Sequence, residues 1–135
     1  MKKSKAVLSI VLVLCLLIAL SSQALASVQP RFMFASSFVA TLDISATGLS
    51  DVYAAVSVPN SRYTIKLSAT LQQKNDGDWK DVKTWETEGV MSASINKPWY
   101  VASGFDYRIM TSIDVYDANN SYIGTDTTYS AIVHH

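Results

Sequence analysis

The sequence predicts an all-β protein, an antiparallel two-sheet sandwich of about seven strands, with a small β-barrel as the alternative closure. Three observations carry this. Apolar and polar residues alternate with period two along most of the chain, and helical periodicity is nearly absent. Clusters rich in Gly, Pro, Asn and Asp punctuate the alternation.

The clearest strand is Arg62–Gln72, where Tyr63, Ile65, Leu67, Ala69 and Leu71 share one face and polar residues fill the other. Such a pattern fits a half-buried antiparallel strand. Phe105–Tyr116 repeats it, with Phe105, Tyr107, Ile109, Thr111, Ile113 and Val115 inward. Ser37–Ala46 directs Phe38, Ala40, Leu42 and Ile44 inward, and Val52–Val58 directs Val52, Ala54, Val56 and Val58. In Trp79–Thr87 the apolar residues Trp79, Val82 and Trp85 recur every third position, which requires a bulge near Asp81–Val82. Lys97-Pro98 interrupts Ser92–Ala102 and assigns it to an edge or to a segment switching sheets. Tyr122–Val133 closes the chain. Its expected inward set is Ile123, Thr125, Thr127, Tyr129, Ala131 and Val133, leaving Gly124, Asp126, Thr128 and Ser130 to solvent. Asp76-Gly77 marks a tight hairpin between two strands, and Gly48–Asp51 and Asp117–Asn120 mark further turns.

The first residues divide from the rest by composition. Lys2, Lys3 and Lys5 precede an apolar run from Ala6 to Leu20 that only Ser9 interrupts, and Ala24-Leu25-Ala26 follows. Charged start, short apolar stretch and small residues at a cleavage site read as a secretory leader over 1–26, followed by one domain over 27–135. The run is short of the twenty or so apolar residues that span a bilayer, so no stable membrane anchor is expected after cleavage. Cys15 lies inside the run and leaves with it, so the expected exported domain has no cysteine and relies on burial alone. Removing three lysines from a balance of 11 basic and 11 acidic residues leaves an excess of acid. That charge offers nucleic acid no attraction.

Two stretches carry a resemblance. LQQKNDGDWKDVKTW and YVASGFDYRIMTSIDVY resemble segments of small uncharacterised secreted proteins of clostridia and related Gram-positive bacteria, matching at Leu71, Gln72, Trp79, Val82, Trp85, Gly104, Tyr107 and Arg108. Ser103 stands where that group usually has lysine. In addition, Ser103–Arg108 resembles the entry to strand F of fibronectin type III domains, where a tyrosine hydroxyl locks the corner between sheets. The first resemblance implies secretion and no activity. The second implies an immunoglobulin-like or fibronectin type III-like sandwich with Tyr107 at its corner.

The residues point away from catalysis. A nucleophile needs a base beside it, and the histidines, His134 and His135, form a dipeptide expected to fray beyond the last strand. The acids fall in turns and on polar faces without selecting the pair a glycosidase requires. Asp114, Asp117 and Asp126 could gather oxygens around Ca²⁺, although a plain Asx turn explains Asp117–Asn120 as well. No catalytic residue, metal ligand or cofactor is assigned. The three Trp, seven Tyr and four Phe all follow residue 26, and not all of them fit an inward pattern. Trp79, Trp85, Trp99 and Tyr100 are therefore the candidate ligand-binding residues. The expected function is a secreted, non-enzymatic interaction module acting outside the cell on a cell-wall polysaccharide or an extracellular protein. The alternatives are a carbohydrate-binding module using exposed rings and a secreted bacteriocin-like protein. The exported form should begin at Ser27, and the intact mass of the secreted protein checks this; full-length chain confined to membranes would overturn it.

Overall fold

The computed structural model describes residues 31–135; the leader assigned to 1–26 lies outside the described residues. All regular structure among them is strand: β1 (Ser37–Ile44), β2 (Leu49–Ser57), β3 (Thr64–Asn75), β4 (Asp78–Val90), β5 (Ser92–Tyr100), β6 (Asp106–Tyr116), β7 (Tyr122–Tyr129) and the short β8 (Val133–His134). One sheet has the order β1-β2-β5. The other has the order β4-β3-β6-β7, with β8 pairing onto β6. Every pairing is antiparallel, and the sheets form a sandwich rather than a closed barrel.

The alternating residues of β2, β3 and β6 make the core. Val52, Ala54, Ile65, Ala69, Leu71, Ile109, Ile113 and Val115 are wholly shielded, Leu67 is nearly so, and Phe38, Leu42 and Ile95 pack around them. Each large apolar side chain so buried contributes about 1.5–3 kcal/mol. Thr111 shares this inner face, and its hydroxyl has no hydrogen-bond partner. Tyr107 stands at the corner the sequence indicates. Its hydroxyl donates to the Ala102 carbonyl at 2.6 Å and accepts from Gln73 Nε2 at 3.0 Å.

The β3–β4 hairpin turns on Asp76 (φ 50°) and Gly77 (φ 88°). Two positive angles in succession are the type I′ geometry that Asp-Gly favours. Leu71 pairs with Lys83 but Gln72 with Asp81, so Val82 is the extra residue of the expected bulge. The bulge reverses the phase of β4: Trp79 lies opposite Lys74 on the outer face, and Trp85 lies opposite buried Ala69 on the inner face.

Met91 (φ 66°) carries the chain from one sheet to the other. Its N–H donates to Tyr63 of the larger sheet side, and its carbonyl accepts from Val58 beside the smaller. The approach there is so close that a Cβ on Gly89 would meet the Ser92 carbonyl oxygen. β5 is an edge strand, as expected, and Pro98 does not break it. Met91 and Val101 bond to the β2 side, so by alternation the odd residues of β5 carry the ladder and the even ones, Pro98 included, face the free edge. The missing proline N–H therefore costs no ladder bond.

β7 departs from expectation. Val115 pairs with Gly124 but Tyr116 with Tyr122, which leaves Ile123 as a second bulge residue. Beyond it the faces exchange. Asp126 and Ser130 are buried, whereas Thr125, Thr127 and Tyr129 are exposed, the reverse of the alternation read from the sequence. The physical reason is the Asp126 carboxylate. It accepts the backbone N–H groups of Met33 (2.9 Å), Phe34 (2.8 Å) and Ala35 (2.9 Å). The Phe34 ring lies directly over Gly124, where an added Cβ would come within 2.3 Å of it. Thus the strap before β1 is tied to β7 at the opposite sheet's edge. The terminal dipeptide, expected to fray, is also tied down: the His135 N–H donates to the Phe105 carbonyl, and its own carbonyl accepts from Phe105.

Two substitutions test this packing with opposite signs. Asp126→Ala strands three backbone donors, and charge-assisted bonds of this kind lead us to expect a loss of about 2–3 kcal/mol in urea denaturation. Hydrogen exchange at Met33–Ala35 should rise with it, and a strap that stays protected would refute the clamp. Thr111→Val replaces an unpartnered buried hydroxyl with a methyl of similar size and should stabilise by about 1 kcal/mol; a lower denaturation midpoint would show that the hydroxyl is satisfied.

Candidate functional site

The outer face of the larger sheet is built from the even residues of β3 and β6, which face each other in register: Gln72 with Arg108, Ser68 with Ser112, Lys66 with Asp114. At one end the Arg108 guanidinium is stacked between two rings, its carbon 4.2 Å from the Trp79 centroid and 4.4 Å from that of Tyr129. Arg108 Nε donates to Gln72 Oε1 at 2.9 Å, and Gln72 Nε2 donates to Asp81 Oδ1 at 2.8 Å. Gln72 is buried, so this chain of contacts anchors the guanidinium to the sheet while the two rings flank it.

At the other end Lys66 Nζ lies 4.9 Å from the Tyr116 ring centre, and Tyr116 meets Tyr122 edge-on at 5.8 Å. The Tyr122 hydroxyl bonds with Thr125 Oγ1, which donates to Asp114. From Lys66 to Gln72 is roughly 20 Å of extended strand. Between the two ends Ser68 and Ser112 bond to each other at 2.9 Å, as do Thr70 and Thr84, with Met110 opposite Thr70 and Glu86 opposite Ser68. The resulting hollow, about 430 Å³, is lined by Lys66, Ser68, Glu86, Glu88, Ser112 and Asp114 among others. Rings and cations stand at both ends of this face, and the hollow itself mixes the Ser68 and Ser112 hydroxyls with Lys66 and the carboxylates of Glu86, Glu88 and Asp114.

The four aromatics singled out from the sequence do not share a surface. Trp79 belongs to the outer face just described. Trp85 and Trp99 meet edge-on at 6.0 Å and 78° where β4 and β5 border the two sheets, with Lys83 Nζ 5.1 Å from the Trp99 centroid. Tyr100, 72% exposed, lies opposite Leu49 at the end of β5. Sequence reasoning passed over Arg108 and Tyr129. Tyr129 was hidden by the Ile123 bulge, which turns it outward; Arg108 was legible only as one polar residue of an alternating strand.

The acids considered for Ca²⁺ point apart. Asp117 Oδ1 accepts the N–H groups of Asn119 and Ser121 within its own turn, Asp114 is held by Thr125 on the outer face, and Asp126 is inside. Among the described residues no three His, Cys, Asp or Glu side chains gather to hold a metal. His134 Nδ1 lies 2.7 Å from Asp106 Oδ1 in an exposed pair. No protein-family model matches the chain, and no curated protein is significantly similar to it.

Proposed function

We propose that the chain is a secreted, non-enzymatic interaction module that acts outside the cell and engages its ligand with the outer face of the larger sheet. One observation carries the reading: ring-and-cation contacts stand at both ends of the outer face, with the hydrogen-bonded hydroxyls of Ser68, Ser112, Thr70 and Thr84 between them on the central strands of the sheet. Rings and hydroxyls placed in this way suit contact over an extended ligand. The secretory leader supports a partner outside the cell.

A carbohydrate-binding role is the form of this reading that the exposed tyrosines favour. Tyr122 and Tyr129 are 59% and 49% exposed on the same face as Trp79, available for stacking on sugar rings. Titration calorimetry against Gram-positive cell-wall polysaccharides tests it, with tryptophan emission as a second signal. A ring contact worth about 1 kcal/mol corresponds to roughly fivefold in Kd. Tyr129→Ala and Tyr122→Ala should each weaken binding by about that factor, while Tyr100→Ala, on the other sheet, should leave it unchanged. Equal affinity in all three variants, or no heat and unchanged emission across the panel, would overturn it.

A further inference from the structure

Arg108 has a feature that stacking alone does not account for. Its guanidinium carbon lies within 4.4 Å of the Trp79 and Tyr129 ring centres, and its Nε is spent on Gln72. The remaining N–H groups of the fork have no acceptor among the described residues, and no carboxylate there lies within ion-pair distance. The neighbouring acid, Asp81, is bonded to the Gln72 amide, so Gln72 stands between the carboxylate and the cation. A partly buried guanidinium held rigidly without a counter-charge carries a desolvation cost that an incoming anion would offset.

The geometry also sets what can approach. Trp79 and Tyr129 flank the guanidinium carbon and Gln72 takes the Nε–H, which leaves the Nη edge of the fork without a partner among the described residues. That edge matches two oxygens of a carboxylate or a phosphate in parallel hydrogen bonds. The nearby cation is Lys74, whose Nζ lies 5.9 Å from the Trp79 ring centre; the acids at the same end, Asp81 and Asp106, are engaged by Gln72 and His134, and Glu86, Glu88 and Asp114 line the hollow further along the face.

We infer that Arg108 is the receptor for an oxyanion, carboxylate or phosphate, carried by the extracellular ligand. This deepens the interaction-face reading by naming the chemistry of one end of the ligand: the oxyanion sits at Arg108, at the end of the face away from Glu86, Glu88 and Asp114.

The test uses the exported protein at fixed ionic strength with three polymers: polygalacturonate, poly(glycerol phosphate) and neutral dextran. At least one of the two anionic polymers should bind, and which one identifies the source of the oxyanion. Arg108→Lys keeps the charge but loses the planar fork and should weaken that binding about tenfold or more; Arg108→Gln should weaken it further. Equal affinity in wild type and both variants, or no binding of either anionic polymer, overturns the inference. Dextran binding that ignores Arg108 would overturn it too, while leaving the interaction face standing. Because Arg108 also packs against two rings, a second measurement avoids the variants. The wild-type Arg108 side-chain ¹⁵N resonances should shift on titration with inorganic phosphate or acetate but not with chloride. Resonances that stay in place refute the site.

Discussion

The sheets are held by contact between the inner faces of β2, β3 and β6, with no cysteine after residue 26 to help. That places the whole burden of stability on burial, and it explains why the inner face is so regular. β6 alternates without a break from Asp106 to Tyr116, and β3 sets its apolar residues opposite it in strict register. Since a slip of one residue would turn every apolar side chain to solvent, burial also fixes which residues face out. The outer row of Gln72, Arg108, Ser68, Ser112 and Lys66 is the complement of the core. The candidate site therefore inherits its precision from packing on the other side of the same strands.

The irregular positions place the remaining side chains. Val82 and Ile123 are single extra residues near opposite ends of the outer face, and each reverses the phase of an edge strand. The first brings Trp79 to the outer face and the second brings Tyr129 there. Arg108, on the regular strand β6, is clasped between two rings that only bulges could deliver. The stack is therefore a product of two local exceptions meeting one rule.

This also marks how far the sequence could be read. The sandwich, the Asp76-Gly77 hairpin, the edge position of β5 and the inner faces of β3 and β6 all follow from period-two alternation and turn chemistry, which are local, whereas the Tyr107 corner came only from the resemblance to fibronectin type III domains. The Val82 bulge was visible because tryptophan and valine recur at the wrong spacing. The Ile123 bulge was not, because Thr and Gly in β7 and Ser130 just after it are neutral about facing, and the deciding group, Asp126, answers to backbone donors from the other end of the described residues. Trp79, Trp85, Trp99 and Tyr100 were singled out by residue type, but whether rings converge depends on long-range pairing. Arg108 stood out only as one matching position of a family resemblance and gave no sign of a site, since an arginine between rings and a solvated one read alike.

The strap on Asp126 has a consequence for the order of events in folding. Its three hydrogen bonds join residues 91 to 93 positions apart, whereas the β3–β4 and β6–β7 hairpins close over a few residues. Closing so long a loop costs more chain entropy than closing a turn, and contacts of that kind slow the search. The strap can seat only after β6 and β7 have paired and turned the carboxylate inward. A contact that forms so late is expected to act as a latch: its loss should speed opening more than it slows folding.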